Sequence, residues 1–316
     1  MTSSPDLDLV ADIGGTNTRV ALARAGVIDR DSIRRFANKD AADLREILAQ
    51  FMEQAGLRSG ALSGICVAAA GPVRDGVAKM TNLDWHIDRT MLADVSGASR
   101  VAVLNDLQAQ GYAIGHISDT ELRVILPHDP ASAHAAKLVI GLGTGFNAAA
   151  VFDGPRGRVV PPSESGHITL PTPDDQTRDL ARFLAEKHGF AAVEEVLSGR
   201  GISHVHAFLH GIDQPAQQIM DALEQDDAKA RATAALVAQV LGNVAGDLAL
   251  VNLPFGGVYL IGGVSRALAP YLMQFGFAEA FSNKGRFGPF MAQFGVSVVE
   301  DDFAALTGCA QALIEL

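Results

Sequence analysis

The segment Asp12–Arg19, with the sequence DIGGTNTR, carries residues that could bind phosphate at a tight turn between two strand-like stretches. Its glycines can adopt positive φ and let the backbone approach a ligand, and the hydroxyl group and amides that follow can bind phosphate oxygens. Asp12 could reach a magnesium ion or the water bound to that ion. The phosphate-binding candidates are Gly14, Gly15, Thr16 and Asn17. Because two adjacent glycines are also common in hairpin turns, an ordinary hairpin is the alternative.

A second glycine turn, Gly141–Gly145 with the sequence GLGTG, also follows an apolar strand-like run. Thr144 and Gly145 repeat the phosphate-binding pattern of the first turn. The turn is not a P-loop, since the Lys-Ser/Thr ending is missing, and it is not a dinucleotide fingerprint, since a strand follows instead of a helix. Two such hairpins in one chain are typical of actin-like ATPases, which hold a phosphate chain between them.

A carboxylate at the end of a third strand-like run could act as a base. Asn105 and Asp106 directly follow the apolar run at 101–104. Asp106 could accept the proton of an attacking hydroxyl group while Asn105 orients that group, as in phosphotransferases. The alternative is that the two residues only cap a helix over 107–114.

Two further acids and a histidine could form a sugar pocket. Glu164 and His167 lie in the sequence ESGH, and Glu194 lies further along, just before the sequence EVLSG. Carboxylates and an imidazole that converge on one pocket would provide the acceptors and donors that sugar hydroxyls require. A zinc site at Glu164 and His167 and a surface loop without function are the alternatives. No cysteine cluster or HExxH pattern accompanies the two residues to favour zinc.

The elements that must position these residues alternate between strand-like and helix-like patterns. Polar residues follow several strands, and open α/β sheets bind their ligands at the carboxyl ends of strands. The predicted strands lie at 7–13, 19–23, 64–70, 101–104, 138–142, 148–152 and within 256–263, and the predicted helices lie at 41–54, 107–114, 175–188, 228–250 and 303–314.

The length of 316 residues favours two lobes over one core. Both halves of the chain contain a strand, a glycine turn and another strand, which is a weak internal duplication expected if two similar lobes face each other. The predicted fold is therefore α/β and two-lobed, with the active site in the cleft between the lobes. The predicted small lobe comprises residues 1–110 and 301–316, and the predicted large lobe comprises residues 111–300.

Composition excludes several classes of protein. The net charge of −11 repels polyanions, and no Lys/Arg-rich run offers a surface for nucleic acid. ATP could still bind through backbone amides and a metal ion. The polar N-terminus is unlike a signal peptide, and no apolar run approaches the ~20 residues that span a bilayer, so we expect no membrane and a cytoplasmic location. Cys66 and Cys309 have no paired spacing, so we expect small buried hydrophobic residues and neither a disulfide nor a metal site.

In their order and approximate spacing, the four motifs resemble those of the bacterial glucokinase family, which belongs to the hexokinase and actin-like ATPase superfamily. Further matches cover nearly the whole chain: AGPV at 70–73, MTNLDW at 80–85, EVLSG at 195–199, GGV at 262–264 and FSNKGRF at 281–287. The last of these resembles a segment associated with glucokinases more than with other hexose kinases. The resemblance implies an actin-like ATPase fold of the ribonuclease H-like kind.

The resemblance also implies the reaction and the residues that perform it. The γ-phosphoryl group of Mg-ATP would pass to the 6-hydroxyl of glucose after the lobes close, in an enzyme that is expected to be a homodimer. The phosphates would be held by Asp12–Thr16, Thr144 and Gly145, with Gly262 and Gly263 near the adenosine. The residues that bind the hexose would be Asn105, Asp106, Glu164, His167 and Glu194, with Gly145 alongside. Asp106 would also act as the base.

The chain departs from the family pattern in two loops. The family more often has GTGLG where this chain has GTGFN at 143–147, and SGPG where it has SGRG at 198–201. Both loops are expected near the nucleotide, so Asn147 and Arg200 put the choice and affinity of the nucleotide in doubt. The related ROK group usually has a cysteine-rich zinc segment after its ExGH motif, and this sequence has none. The alternatives are a kinase for mannose, fructose or an amino sugar, a sugar or nucleotide sensor, and an actin-like filament or chaperone ATPase.

Overall fold

The computed structural model describes residues 7–58, 60–80 and 83–316, so Thr81 and Asn82 of the MTNLDW stretch lie outside the described residues. The strands are β1 (Asp8–Ile13), β2 (Asn17–Arg24), β3 (Val27–Ile28), β4 (Arg34–Ala37), β5 (Gly64–Ala69), β6 (Val73–Arg74), β7 (Val77–Lys79), β8 (His86–Asp88), β9 (Arg100–Asn105), β10 (Leu122–Leu126), β11 (Lys137–Leu142), β12 (Phe146–Gly154), β13 (Gly157–Val159), β14 (Val258–Ile261) and β15 (Val296–Val299). The helices are α1 (Leu44–Gln54), α2 (Arg89–Ser96), α3 (Asp106–Ala113), α4 (Asp175–His188), α5 (Gly199–His210), α6 (Ala216–Glu224), α7 (Ala228–Asn252), α8 (Gly263–Leu268), α9 (Phe277–Ser282) and α10 (Ala304–Ile314).

The chain forms two compact units. The first unit comprises residues 1–117, 156–162 and 301–316, and the second comprises residues 118–155 and 163–300. The lobe boundaries predicted from the sequence place residues 111–117 and 156–162 with the larger lobe, whereas compactness groups both segments with the first unit. In the predicted division and in the observed one, the chain returns to the first unit at residue 301.

The first unit is built on a sheet with the strand order β3-β2-β1-β5-β9, and β4 also pairs with β2. β1 is antiparallel to β2 and parallel to β5, and β5 is parallel to β9. Side chains alternate between the two faces of a strand. Accordingly, Leu9 and Ile65 pack with Phe51 of α1 on one face, whereas Val10 packs with Leu306 of α10 on the other. Both faces of β1 and β5 are covered, which explains why β5 is apolar throughout and why β1 is apolar except at Asp8 and Asp12.

The two cysteines belong to the first unit's core, as expected. Cys66 on β5 and Cys309 on α10 are buried and free, and both lie in the cluster that contains Val10. The Cys309 thiol lies 3.7 Å from the backbone oxygen of Ala11. Burial raises the pKa of Cys309, and neighbouring Cys66 adds to the rise. Cys309 therefore stays a neutral thiol at physiological pH.

The second unit repeats the arrangement of the first. Its sheet contains the strand order β10-β15-β14-β11-β12. β11 and β12 form an antiparallel hairpin, β11 is parallel to β14, and β14 is parallel to β15. In both units, then, an antiparallel hairpin with a glycine turn is followed on one side by two parallel strands. This common strand order supports the internal duplication inferred from the sequence.

Helix α7 is an exception to the expectation that no apolar run approaches the length needed to span a bilayer. It is 25 residues long, and an 18-residue window has a mean hydropathy of 1.6, so by length and composition alone it could cross a membrane. However, 61% of that window is buried inside the protein, where Val237, Leu241 and Val244 join the second unit's core. The helix is apolar because it is surrounded by other elements of that unit.

Candidate active site

The first glycine turn joins β1 to β2 and leaves its tip exposed. The Gly14 N–H donates to the Asn17 oxygen over 2.9 Å, and Gly15 and Thr16 are exposed. Among the described residues, the glycines with positive φ do not include Gly14 or Gly15. This turn therefore does not use the left-handed conformation that glycine permits. What the glycines provide here is an uncovered backbone at the tip.

Asn38, which the sequence analysis missed, holds this turn in place. Its side-chain amide donates to the Gly14 oxygen over 2.8 Å and its side-chain oxygen accepts from the Thr18 hydroxyl over 2.8 Å. Its backbone N–H also donates to the Thr16 oxygen over 2.9 Å. Asn38 is buried in a short 3-10 helix, Asn38–Asp40, far from the glycines in sequence. No local pattern in the sequence links it to them.

Asp12 lies near the end of β1, one residue before the turn begins. Its side chain is 22% exposed and lies 3.8 Å from the Arg19 guanidinium. Burial raises the pKa of the Asp12 carboxyl, and Arg19 opposes this rise only in part. A carboxylate that has lost much of its water is poorly neutralised by the protein itself, so a cation beside it would be stabilising.

Asn105 and Asp106 lie where β9 ends and α3 begins. Asn105, which is 4% exposed, caps the helix: its side-chain oxygen accepts from the Gln108 N–H over 2.6 Å, and the Gln108 side chain accepts from the Asn105 N–H over 3.1 Å. Asp106 is the first residue of α3, and its carboxylate accepts from the Leu107 N–H over 2.8 Å. The capping alternative thus describes Asn105 correctly, and the same cap fixes the backbone that carries Asp106.

The second glycine turn joins β11 to β12 and is tied to the start of α5. The Gly143 N–H donates to the Gly145 oxygen over 2.9 Å, and the Gly199 N–H donates to the Gly143 oxygen over 2.8 Å. A Cβ atom at position 145 would lie 2.5 Å from the Glu194 carboxylate. Glycine is therefore needed at 145 for the approach of Glu194, and Thr144 is exposed at the tip.

Glu194 is held in a short 3-10 helix, Val193–Glu195, with its side chain 14% exposed. One carboxylate oxygen accepts from the Phe146 N–H over 2.8 Å, and the other pairs with Arg200. The fold thus brings Glu194 to the second glycine turn. Arg200, one of the two departures from the family pattern, contacts this acid directly.

The ESGH segment forms a loop that ends in the 3-10 helix Ser165–His167, with Glu164 and His167 exposed. Asn147 on β12 holds this loop. Its amide donates to the Ser163 oxygen over 2.5 Å, and its side-chain oxygen accepts from the Ser165 N–H over 2.9 Å. Asn147 therefore fixes the backbone on both sides of Glu164.

The two departures from the family pattern both contact predicted sugar-binding segments. The described contacts of Asn147 and Arg200 are with the ESGH loop and with Glu194, respectively, and their effect on the nucleotide stays a prediction. Both substitutions therefore act on predicted sugar-binding residues of the second unit.

Gly166 in the ESGH loop has no room for a side chain. A Cβ atom there would lie 2.2 Å from the Phe146 backbone oxygen and 3.3 Å from the Glu194 side chain. We expect Gly166→Ala to destabilise the protein by about 1–3 kcal/mol, because the backbone of the loop must shift, and to raise the KM for the hexose that the resemblance implies. Urea denaturation and steady-state kinetics would measure the two effects.

Gly143→Ala is the matched control, because a Cβ atom at 143 would meet no atom within 4 Å. We expect this variant to keep the stability of the unchanged protein. Equal losses of stability in the two variants would contradict the steric account of Gly166.

Gly262 and Gly263 lie between β14 and α8. Gly262 has φ +106°, and a Cβ atom there would lie 2.2 Å from the Leu142 oxygen, so the chain both turns and passes close to β11 at this point. Gly263 opens α8, with no atom within 4 Å of a Cβ position. The backbone is therefore uncovered at the start of α8, and the adenosine contact of these two glycines stays a prediction.

The zinc alternative at Glu164 and His167 gains no support. Within the part of the chain that the structure describes, no group of three or more close metal-binding side chains includes either residue.

Three comparisons place the chain among known proteins. The sequence model of the glucokinase family matches residues 9–315. A glucokinase of Marinobacter nauticus is 33% identical over 312 residues, which cover 96% of each protein. The crystal structure of a glucokinase from an Antarctic psychrotroph is 31% identical with a TM-score of 0.86, covering 98% of this chain and 99% of that one.

A more distant structure shows the fold. A ROK family glucokinase from Streptomyces griseus, in complex with glucose and AMPPNP, has a TM-score of 0.68 at 20% identity and covers 97% of this chain and 98% of that one. These neighbours have the actin-like ATPase fold, which confirms the predicted fold class.

Proposed function

The chain belongs to the glucokinase family, and on this premise we propose that it transfers the γ-phosphoryl group of ATP to the 6-hydroxyl of glucose with Asp106 as the general base. The observation that supports the reaction most strongly is the family match over residues 9–315. The protein is an ATP-dependent kinase of glucose. What remains a proposal is the role of each residue.

Asp106 suits the role of base because its backbone is fixed at the start of α3. The cap formed by Asn105 and Gln108 anchors the first turn of the helix, so the carboxylate is held with little conformational freedom. Phosphoryl transfer needs little covalent help from a protein, and positioning provides most of the rate. Asp106 would take the proton of the sugar hydroxyl as the bond to phosphorus forms.

The second unit supplies the sugar acceptors. Glu164 and His167 are exposed on a loop that Asn147 fixes, and Glu194 is held beside Gly145 by the Phe146 N–H and Arg200. Charged groups that are already oriented lose little entropy when they accept hydrogen bonds from sugar hydroxyls. Such a site rejects a sugar that lacks one of these hydroxyls.

The glycine turns suit the phosphates of ATP. Gly15, Thr16 and Thr144 are exposed at the tips of two hairpins whose backbones are held by Asn38 and by Gly199, respectively. Backbone N–H groups at such turns stabilise the negative charge that develops during transfer.

Asp12 would hold Mg²⁺, either directly or through a water molecule. Mg²⁺ prefers oxygen ligands, and the Asp12 carboxylate provides them. Asp12 is largely buried beside the partly exposed Arg19, which neutralises its negative charge only in part and leaves charge for a cation to neutralise. When bound, Mg²⁺ would neutralise charge on the phosphates.

We also propose a cytoplasmic homodimer that binds neither nucleic acid nor membrane. The net charge of −11 is unfavourable for nucleic acid, and the membrane-length helix α7 is mostly buried.

The test is release of ADP from Mg-ATP by the purified protein, with and without glucose, and with mannose, fructose or N-acetylglucosamine at equal concentration. We expect strong stimulation by glucose and weak stimulation by the other sugars. Stimulation by another sugar alone would mean that this sugar, and not glucose, is the substrate. Turnover without any sugar would favour an ATPase, and no turnover with any sugar would favour a sensor.

A further inference from the structure

The second unit contains a group of potential metal ligands outside the proposed sugar and nucleotide residues. His188 ends α4, Glu195 ends the 3-10 helix Val193–Glu195, and His204 lies on α5. Each residue offers one ligand atom, and the three atoms all lie within 4.8 Å of one another. Three separate elements therefore bring two imidazoles and one carboxylate to a single point.

The two imidazoles approach the same carboxylate oxygen. His204 Nδ1 lies 3.3 Å from Glu195 Oε2, and His188 Nε2 lies 3.8 Å from that oxygen. A tetrahedral zinc ion with bonds of about 2.0–2.1 Å separates its ligand atoms by roughly 3.3 Å. The two spacings to Glu195 Oε2, 3.3 and 3.8 Å, are close to this value, and 3.8 Å is too long for a direct hydrogen bond.

The Glu195 carboxylate directs one of its oxygens at the two histidines. Arg200 lies 3.3 Å from the other Glu195 oxygen, Oε1, so Oε2 is the oxygen that faces the histidines. The His204 side chain is 12% exposed, and burial lowers its pKa, which favours the neutral ring that metal binding requires. The His188 and His204 rings lie with centroids 4.6 Å apart.

We propose that His188, Glu195 and His204 form a binding site for Zn²⁺. Two imidazoles and one carboxylate are the donor set of exchangeable zinc sites, in which water fills the fourth position, and they suit Zn²⁺ better than Mg²⁺. His204 Nδ1 also lies 3.1 Å from the Glu195 backbone oxygen. Where that nitrogen carries a proton, zinc replaces it and the proton is released to solvent.

The site is separate from the zinc alternative weighed for the sequence ESGH, because it uses neither Glu164 nor His167. It nevertheless adjoins the proposed sugar site, since Arg200 contacts both Glu194 and Glu195. The test below measures metal binding without sugar or ATP, so it does not depend on the proposed function.

The experiment is equilibrium dialysis of metal-free protein against Zn²⁺ in excess Mg²⁺, with bound zinc measured by mass spectrometry. We expect one zinc per chain for the unchanged protein. For the variant that carries both His188→Ala and His204→Ala, we expect an affinity lower by more than about 100-fold, since even supporting residues of zinc sites change affinity by 10- to 100-fold. His134→Ala, which removes an exposed histidine outside the group, should bind as the unchanged protein does.

Glu195→Gln tests the site even if the double variant does not fold. Glutamine keeps the size of the side chain and can still accept a hydrogen bond from Arg200. We expect this variant to keep its urea midpoint, to lose the zinc, and to lose the visible absorption that Co²⁺ shows in a tetrahedral site. Equal zinc binding by the unchanged protein, the double variant and Glu195→Gln would overturn the proposal. Equal loss in His134→Ala would overturn it as well.

Discussion

Asp106→Asn is expected to lower kcat on the order of 10²- to 10⁴-fold, the usual contribution of a general base. Asparagine keeps the shape of the side chain but cannot accept the proton of the sugar hydroxyl. Because Asp106 is the first residue of α3, the change also removes a favourable charge at the helix N-terminus, at a cost of about 0.3–1 kcal/mol in stability. Coupled ADP release and urea denaturation would measure the two effects separately.

The matched control for this variant is Asp175→Asn. Asp175 is the first residue of α4, follows a capping aspartate, and is exposed beside Arg178. The same change at the same helix position should cost similar stability and leave kcat unchanged. Near-normal turnover by Asp106→Asn would exclude Asp106 as the base.

Asp12→Asn should have effects of opposite sign on activity and stability. If Asp12 holds Mg²⁺ through water, its loss should lower activity with Mg-ATP by about 10- to 100-fold. Stability at neutral pH should rise, because burial raises the pKa of Asp12 and the ionised group is therefore unfavourable in the folded protein. The variant replaces that charge with a neutral side chain of similar shape. Kinetics at varied Mg²⁺ and urea denaturation would test both predictions.

The stability difference should depend on pH. Below about pH 3.9, the carboxyl is protonated in both the unfolded and the folded chain, so the difference vanishes. As the pH rises from there through the raised pKa of the folded protein, the unfolded chain ionises first and the unchanged protein loses stability relative to the variant. Above that pKa the difference is constant. A variant that is less stable at pH 7.5 would mean that attraction to Arg19 outweighs burial.

Asp8→Asn is the control for Asp12→Asn, because it makes the same change at another position of β1. Asp8 begins the same strand as Asp12 and is buried, but it accepts hydrogen bonds from Arg100 over 2.8 Å and Ser63 over 3.0 Å. Its removal should cost about 1–3 kcal/mol and leave the affinity for Mg-ATP unchanged. The two aspartates of β1 should therefore differ in the sign of their effect on stability.

Regular elements could be predicted from the sequence where local signals are strong. Helix α4 begins and ends where its pattern predicts, because Asp174 caps one end and Gly189 ends the other in a left-handed conformation. The helix predicted to start at residue 41 begins only at Leu44, because Asp43 accepts from the Glu46 N–H as its cap. A capping residue two positions into an apparent helical pattern is easily overlooked.

The residues that support the site could not be predicted in the same way. Asn38 and Asn147 contact loops 20 or so positions away in the chain, and nothing in their immediate neighbours indicates those partners. Motifs identify groups that could perform chemistry, whereas the groups that hold them depend on tertiary contacts that a single sequence does not reveal.

The last helix has a consequence for the order in which the protein can fold. Val10 and Cys66 on the central strands of the first unit are covered by Leu306, Cys309 and Leu313 of α10. The ribosome makes these helical residues only after the whole second unit, so one apolar face of the first sheet stays uncovered throughout synthesis. The second unit can complete its core earlier, although it begins later. A fragment that stops before residue 301 should therefore aggregate, even though it contains both glycine turns and every predicted catalytic residue.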